Sequence, residues 1–270
     1  MIHIICWSGG KDSTSTVILF HEHEKELLKE GDEVIILFSE VMFDNKKNIS
    51  GYNPDIIHFI YEKKEIFESW GYKVFILRSE DDFLTRFHGP LKRCPDPARN
   101  GLLRGFPLQD RKCWVKRDLK VKPIQRFYKT LDSDYINYIG LAFDEFERYE
   151  NYKLTDSHAE SLLVKYRLTE SDAKALCSKY DMLSPQYKLS GGTQKRDGCW
   201  FCPYAKDCEH EAIMKAYPEA WTTYVALEDE PNLGYPKWYG YSKETLHERD
   251  RRLRNTATKQ LSFADFGITL

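Results

Sequence analysis

Residues Cys6 to Thr16 read CWSGGKDSTST, an order of residue types suited to holding an anion. Gly9 and Gly10 carry no Cβ and can adopt positive φ, so successive N–H groups can turn toward one ligand. Lys11 adds a formal positive charge, and Ser8, Ser13 and Thr14 add hydroxyl donors. A helix starting at about Asp12 would contribute the partial positive charge of its N-terminus. The stretch Ser8, Gly9, Gly10, Lys11, Asp12, Ser13, Thr14 is therefore expected to seat a phosphate. It is not a Walker loop, which needs four residues between its first glycine and the Gly-Lys pair. A second stretch, GCWFCPYAKDC, spaces Cys199, Cys202 and Cys208 as Cys-x2-Cys-x5-Cys. Its first pair can grip one metal centre from a single turn, and a following proline shapes such knuckles. A tetrahedral site or a cubane then needs a fourth ligand from elsewhere.

The elements that must position these groups can be read from periodicity. IHIICW, residues 2–7, reads as a buried strand, and Asp12 to about Lys29 as a helix. GDEVIILF follows as a turn and strand, Pro54 to Trp70 as a helix, YKVFIL as a third strand and YINYIGLAF as a fourth. Strand and helix in alternation predict an α/β fold: a Rossmann-like parallel sheet with helices on both faces. Ligands of such sheets bind beyond the C-terminal strand ends, where the glycine loop falls. Residues 1–150 are expected to form this nucleotide-binding domain and residues 151–270 a helical, cysteine-rich appendage. In the latter, LTESDAKALCSKYDML predicts a helix with Thr169 as N-cap and Asp172 completing a capping box. Arg86 to Gly105 reads as an irregular loop, no strand is expected after about residue 150, and SGGT at Ser190 reads as a turn.

Composition sets further bounds. The 270 residues are 41% hydrophobic and 30% charged, which is ordinary for a globular chain and excludes a disordered one. No stretch reaches the roughly 18 apolar residues of a membrane span, and IHIIC is too short for a signal peptide. The expected setting is cytoplasmic, where seven cysteines suggest a metal or cluster rather than a disulfide framework. The net charge of −2 conceals thirteen Lys or Arg against three Asp between Arg86 and Lys129. That segment could face a polyanion such as a nucleic acid, or only solvent. The aromatic run from Tyr217 to Tyr241 is expected to pack the appendage rather than stack on bases. Cys6 and Cys177 read as ordinary buried residues. His21 and His23 lie on different helix faces and share no metal. Asp44 and Asn45 follow the second strand, where they could hold ribose or magnesium or cap a loop.

SGGKDST after a strand resembles the PP-loop of the ATP pyrophosphatases, which cut ATP between its α and β phosphates. Two later stretches are similar to the phosphoadenosine phosphosulfate reductase group and the related DNA phosphorothioation sulfurtransferases. They are RKCWVKRDLKVKPIQRF, residues 111–127, with a Cys-x5-Leu-Lys-x2-Pro pattern, and GLAFDEFER from Gly140. The resemblance covers roughly residues 1–210 and implies an adenine nucleotide alpha hydrolase-like fold. It implies catalytic roles for Lys11, Lys120 and Arg148, each on an anionic part of ATP or of phosphoadenosine phosphosulfate, with Mg²⁺. Read from the residues alone, Lys120 could be one more surface lysine and Arg148 could pair with Asp144 or Glu145. The resemblance further implies Cys113 as the fourth ligand of a [4Fe–4S] cluster with Cys199, Cys202 and Cys208; His210 and Cys94 compete for that place, and zinc is the alternative metal.

The expected activity is adenylation of an acceptor, release of pyrophosphate and transfer of sulfur from an unidentified donor. A nucleic-acid acceptor would suit the basic segment, and a homodimer is compatible with all of this. Two other readings are a phosphoadenosine phosphosulfate reductase or sulfotransferase, and a non-catalytic adenine-nucleotide sensor. The chain departs from the reductases in having no cysteine after Cys208, whereas those enzymes attack sulfur with a thiolate from a C-terminal ECGLH motif.

Overall fold

The computed structural model describes residues 1–107, 113–189, 198–238 and 243–264, with residues 257–264 as backbone alone. SGGT at Ser190 and the end of the aromatic run at Tyr239–Tyr241 lie outside the described residues. Nine strands are described: β1 (Ile2–Cys6), β2 (Glu33–Glu40), β3 (Met42–Asp44), β4 (Ile49–Ser50), β5 (Lys73–Arg78), β6 (Leu103–Gly105), β7 (Tyr135–Tyr138), β8 (Ala159–Glu160) and β9 (Leu233–Tyr235). Among the described residues no helix is long and apolar enough to cross a membrane.

The chain divides into two compact units interleaved along the sequence. The first comprises Met1–Glu40, Pro54–Ser79 and Lys120–Asp197, and the second Val41–Asn53, Glu80–Leu119 and Gly198–Leu270. No single cut near residue 150 separates them, because segments on both sides of that position complete each core.

The first unit is built on a five-stranded sheet of order β5-β2-β1-β7-β8, parallel throughout. Both faces are covered, as a parallel sheet requires. Ile4, Ile35 and Leu37 pack on one face with Ile124, Phe127 and Tyr128 of the helix Lys122–Tyr128. On the other face the ring of His3 meets Phe20 of the helix Lys11–Glu22 edge-on at 5.4 Å. That helix is buried over most of its length, since the helix Glu170–Lys179 packs on its outer side and the Ser15 hydroxyl donates to the Ala173 carbonyl at 2.8 Å. The capping box at Thr169 and Asp172 is present.

Three expectations change. The helix expected to run to Lys29 ends at Glu22 and restarts as the turn Glu24–Leu27. Its break lies where His21 stacks on Trp70 at 4.0 Å and His23 on Tyr166 at 4.1 Å, on separate faces. Strands do continue past residue 150: β8 adds to the sheet beside β7, with Asn137 opposite Ala159, and β9 pairs with β6. The segment expected as an irregular loop thus contains β6. Strands of two or three residues leave no alternation for a periodicity argument to detect.

The second unit has an aromatic core. Phe83 lies 4.4 Å from Phe201 and 5.4 Å from Trp114, and Phe43 lies 4.6 Å from Trp200. Two of the rings also bond the backbone: the Trp200 indole donates to the Ser50 carbonyl and the Tyr224 hydroxyl to the Phe201 carbonyl. Trp221 and Trp238 are buried, so this part of the aromatic run packs a core.

Cys177, fully buried, donates to the Lys11 carbonyl at 3.2 Å, and burial pushes its thiol up to about 11. A solvent-exposed thiol of the unfolded chain ionises near 9.0, so above that pH the unfolded chain holds fewer protons than the folded one. The contribution of the neutral thiol is therefore complete below pH 9 and is lost as pH rises toward 11, by about 3 kcal/mol. Urea unfolding of the wild type and Cys177→Ala between pH 8 and pH 11 will show a steeper alkaline loss of stability in the wild type.

Candidate functional site

β1 is flanked by β2 and β7. The chain leaves β1 toward β2 and β5 and later returns to its other side at β7, so the two connections diverge beyond the carboxyl end of β1. A cavity of about 370 Å³ lies there, the place where open α/β sheets bind ligands. Cys6, Ser8, Gly10, Asp12 and Ser13 line it from the β1 side, and Ile139, Gly140 and Leu141 from the end of β7. Lys120, Arg148 and Tyr152 complete it. The structure thus gathers residues from all three stretches that carried the resemblance.

Gly9 sits at φ +81°, a conformation its lack of a Cβ permits. Gly10 returns to extended geometry and caps the helix that starts at Lys11. Ser8 and Ser13 lock this turn: the Ser8 amide donates to Ser13 Oγ at 3.0 Å, and Ser13 Oγ donates to the Gly10 carbonyl at 3.1 Å. Thr14 is fully buried and accepts from the Trp7 indole at 2.9 Å, so its hydroxyl holds the loop to the strand. The N–H groups of a helix's first turn have no acceptor within the helix. That of Lys11 donates to the Tyr187 hydroxyl at 3.1 Å.

The three expected cations are placed differently. Lys11 Nζ is 2.8 Å from Asp12 and 3.3 Å from Glu170, and Lys11 is not among the residues that line the cavity. Burial opposes its charge, but the hydrogen bond and charge of Asp12, then of Glu170, outweigh that and raise its pKa. Burial also raises the pKa of Asp12, against the pull of Lys11. Lys120 lines the cavity from a π-helical stretch, Val115–Val121, that leads into the helix Lys122–Tyr128. Pro123 has no N–H for an i→i−4 bond, which favours the wider turn. The Lys120 carbonyl accepts from the buried Ser39 hydroxyl at 2.9 Å, tying the stretch to β2. Arg148 is 70% exposed and pairs with Glu145 at 2.6 Å, while still lining the cavity.

Two residues that sequence reasoning missed belong here. A Cβ at Gly140 would lie 2.6 Å from the backbone nitrogen of Ser13 and 2.8 Å from the Asp12 carbonyl carbon. Only glycine lets the chain just past the end of β7 approach the helix start so closely; its one signal in sequence was a glycine within the otherwise apolar stretch YINYIGLAF. Cys6 is half-buried rather than buried and lies 3.1 Å from the Tyr128 hydroxyl. Burial pushes its thiol up, with the Tyr128 hydrogen bond offsetting part of this. Asp44 and Asn45 belong to the second unit, where Asp44 caps a turn by accepting from the amides of Lys46 and Lys47 and Asn45 bonds Asp82 and Glu80.

Cys113, Cys199, Cys202 and Cys208 also fall in the second unit, each half-buried. The Cys202 amide donates to the Cys199 carbonyl at 3.0 Å, forming the expected knuckle turn, and burial pushes the Cys113 thiol up. Four thiols of one unit suit a thiolate-ligated centre, although among the described residues no three His, Cys, Asp or Glu side chains stand at closed metal-cage geometry. Of the competitors, His210 is fully buried with Nε2 2.8 Å from the Trp200 carbonyl. Cys94 has its sulfur 3.6 Å from the Tyr235 hydroxyl and lines a different cavity. The loop after Cys202 is clamped by Arg249, whose buried guanidinium donates to the Ala205 carbonyl at 2.9 Å and pairs with Asp207 at 2.7 Å and Glu244 at 3.2 Å. The arginines of the final helix, Leu246–Ala264, gave no sign of this in sequence, because Ala205 and Asp207 are remote from Arg249 along the chain.

The chain matches no family model and no curated protein sequence. Among solved structures, one match is a U34-tRNA thiolase, NcsA, from Methanococcus maripaludis with its [4Fe-4S] cluster; the alignment covers 94% of this chain and 72% of that chain at 14% identity and a TM-score of 0.39.

Two outcomes follow from the geometry. Gly140→Ala will lower stability by about 1–3 kcal/mol through overpacking against backbone, as measured by urea unfolding. Arg249→Ala will cost about 2–3 kcal/mol in urea unfolding, less than a wholly buried pair because Asp207 is half-exposed.

Proposed function

We propose that the chain is a PP-loop enzyme that binds ATP beyond the ends of β1 and β7, adenylates an acceptor and assists its thiolation. The observation that carries this reading is the convergence of the Ser8–Ser13 loop, Lys120 and Arg148 on one cavity at the divergence of the two chain connections.

In this reading the helix start and the Gly9–Gly10 turn hold the phosphates through backbone N–H groups. Lys120 and Arg148 supply the cations that backbone donors alone lack, and Arg148 exchanges Glu145 for a phosphate oxygen as the ligand enters. Lys11 has Asp12 and Glu170 as present partners, so its part in stabilising pyrophosphate requires that it exchange one of them for the leaving group. Asp12, the one carboxylate lining the cavity among the described residues, is the candidate for orienting Mg²⁺. The acceptor oxygen bonds to the α-phosphorus as the bond to the β-phosphate oxygen breaks, and pyrophosphate departs. A sulfur nucleophile then bonds to the activated atom as AMP leaves with its oxygen. Cys113, Cys199, Cys202 and Cys208 would hold a [4Fe–4S] cluster, which when bound supplies a carrier for sulfide. The acceptor in this reading is a nucleic acid, drawn by the basic segment from Arg86 to Lys129.

ATP–pyrophosphate exchange, measured with the acceptor fraction present, is expected to fall about 10²–10³-fold in Lys120→Ala and Arg148→Ala, the usual cost of removing a charged group that stabilises developing charge. Undiminished exchange in both variants would refute the assignment. Anaerobic purification with iron, sulfide and zinc analysis is expected to give four iron and four sulfide per chain; stoichiometric zinc without iron would replace the cluster by a structural clip. Tight ATP binding without pyrophosphate or AMP would instead favour a sensor.

A further inference from the structure

The second unit contains a cavity of about 910 Å³ lined by part of the Arg86–Lys129 basic segment, to which the reading above gives only a general attraction for the acceptor and no defined site. Arg86, Lys92, Arg93, Arg104 and Arg117 line it, with Asp81 as the one lining carboxylate among the described residues. Arg86 and Arg117 share the buried Asp118, each at 2.7 Å. Among the described residues no carboxylate lies within ion-pair distance of Lys92, Arg93 or Arg104. The Arg104 guanidinium stands over the Trp114 ring at 5.8 Å, which fixes its plane. Its Nε, the Nε of Arg86 and the indole N–H of the 4%-exposed Trp114 are buried without a hydrogen-bond partner.

Such an arrangement is unfavourable when left alone. Buried donors without acceptors carry a desolvation cost, and like charges brought together repel. Burial, and then the charges of Arg86 and Arg117, depress the pKa of Arg104. A multiply charged anion relieves both costs at once. Guanidinium forks match phosphate oxygens in pairs, and a cavity of 910 Å³ exceeds what a lone carboxylate would fill.

We propose that this cavity is a second anion site, which takes the phosphate groups of a ligand carrying two or more negative charges. Those phosphates belong either to a small pyrophosphate-type anion or to the backbone of a single-stranded nucleic acid. The site uses none of the residues of the glycine loop and stands whether or not that loop binds ATP. Cys94, half-buried in the wall of this cavity, serves as a built-in reporter of occupancy.

The test uses the full chain, with inorganic pyrophosphate and fluorescein-labelled oligothymidylate and oligouridylate as separate probes. Two variants are compared with wild type: Arg104→Gln, and the exposed double variant Lys92→Glu/Arg93→Glu, which breaks no ion pair among the described residues and whose melting curve is expected to match wild type. At least one probe is expected to bind the wild type, with Kd raised more than about tenfold in both variants. For an oligonucleotide, the slope of log K against log salt will flatten by about one for each cation removed. The bound probe will slow alkylation of Cys94 by iodoacetate, followed by peptide mass mapping. Binding by pyrophosphate alone assigns a small-anion ligand, and binding by an oligonucleotide alone assigns a strand. No binding of any probe, unchanged affinity in both variants, or an unprotected Cys94 in the saturated protein would overturn the proposal.

Discussion

β1 is paired in parallel with β2 on one side and with β7 on the other, in register along nearly its whole length. This double pairing is the constraint from which the candidate site follows. It forces the chain to leave β1 in one direction and to return on the opposite side, and the divergence leaves space beyond Cys6. The loop from Ser8 to Ser13 must then close one wall and the residues after β7 the other. The two walls touch where Gly140 meets the Ser13 backbone, so the glycine loop is held as much by a residue far along the chain as by its own hydrogen bonds.

Electrostatics in that cavity differ from what a list of cations would suggest. The lysine inside the motif is neutralised by Asp12 beside it and Glu170 across the helix pair, whereas Lys120 and Arg148 line the open space. A lysine adjacent to an aspartate in sequence can satisfy it at little conformational cost. Cations brought in from other elements are held by backbone placement, as in the tie between the Lys120 carbonyl and Ser39.

The second unit solves a different problem. Its strands are too short to supply a sheet core, so aromatic rings packed at tilted and edge-on angles fill its interior, including Trp200 and Phe201 between the cysteines. The rings between the first two cysteines are thus committed to the core, where they hold the knuckle backbone. Arg249 fixes the other side of the same loop through Ala205 and Asp207. The thiols are therefore borne on a framework that stands on packing and ion pairs of its own.

Much of the first unit was legible in sequence. Long apolar strands alternate with helices, the glycine turn sits between the first strand and helix, and the capping box at Thr169 uses only neighbouring residues. Such features depend on local pattern, which sequence carries in full. Other features required tertiary structure because they join segments far apart in the chain: the strands β8 and β9, the interleaved units, the close approach at Gly140, the exposure of Cys6 to the cavity and the grip of Arg249. Sequence determined which groups are chemically able to act on a phosphate or hold a metal. The tertiary structure decided that Glu170 joins Asp12 on Lys11 and that Lys120 and Arg148, from separate elements, line the same cavity as the glycine loop, because which distant groups meet is set by distance in the fold and not by distance along the chain.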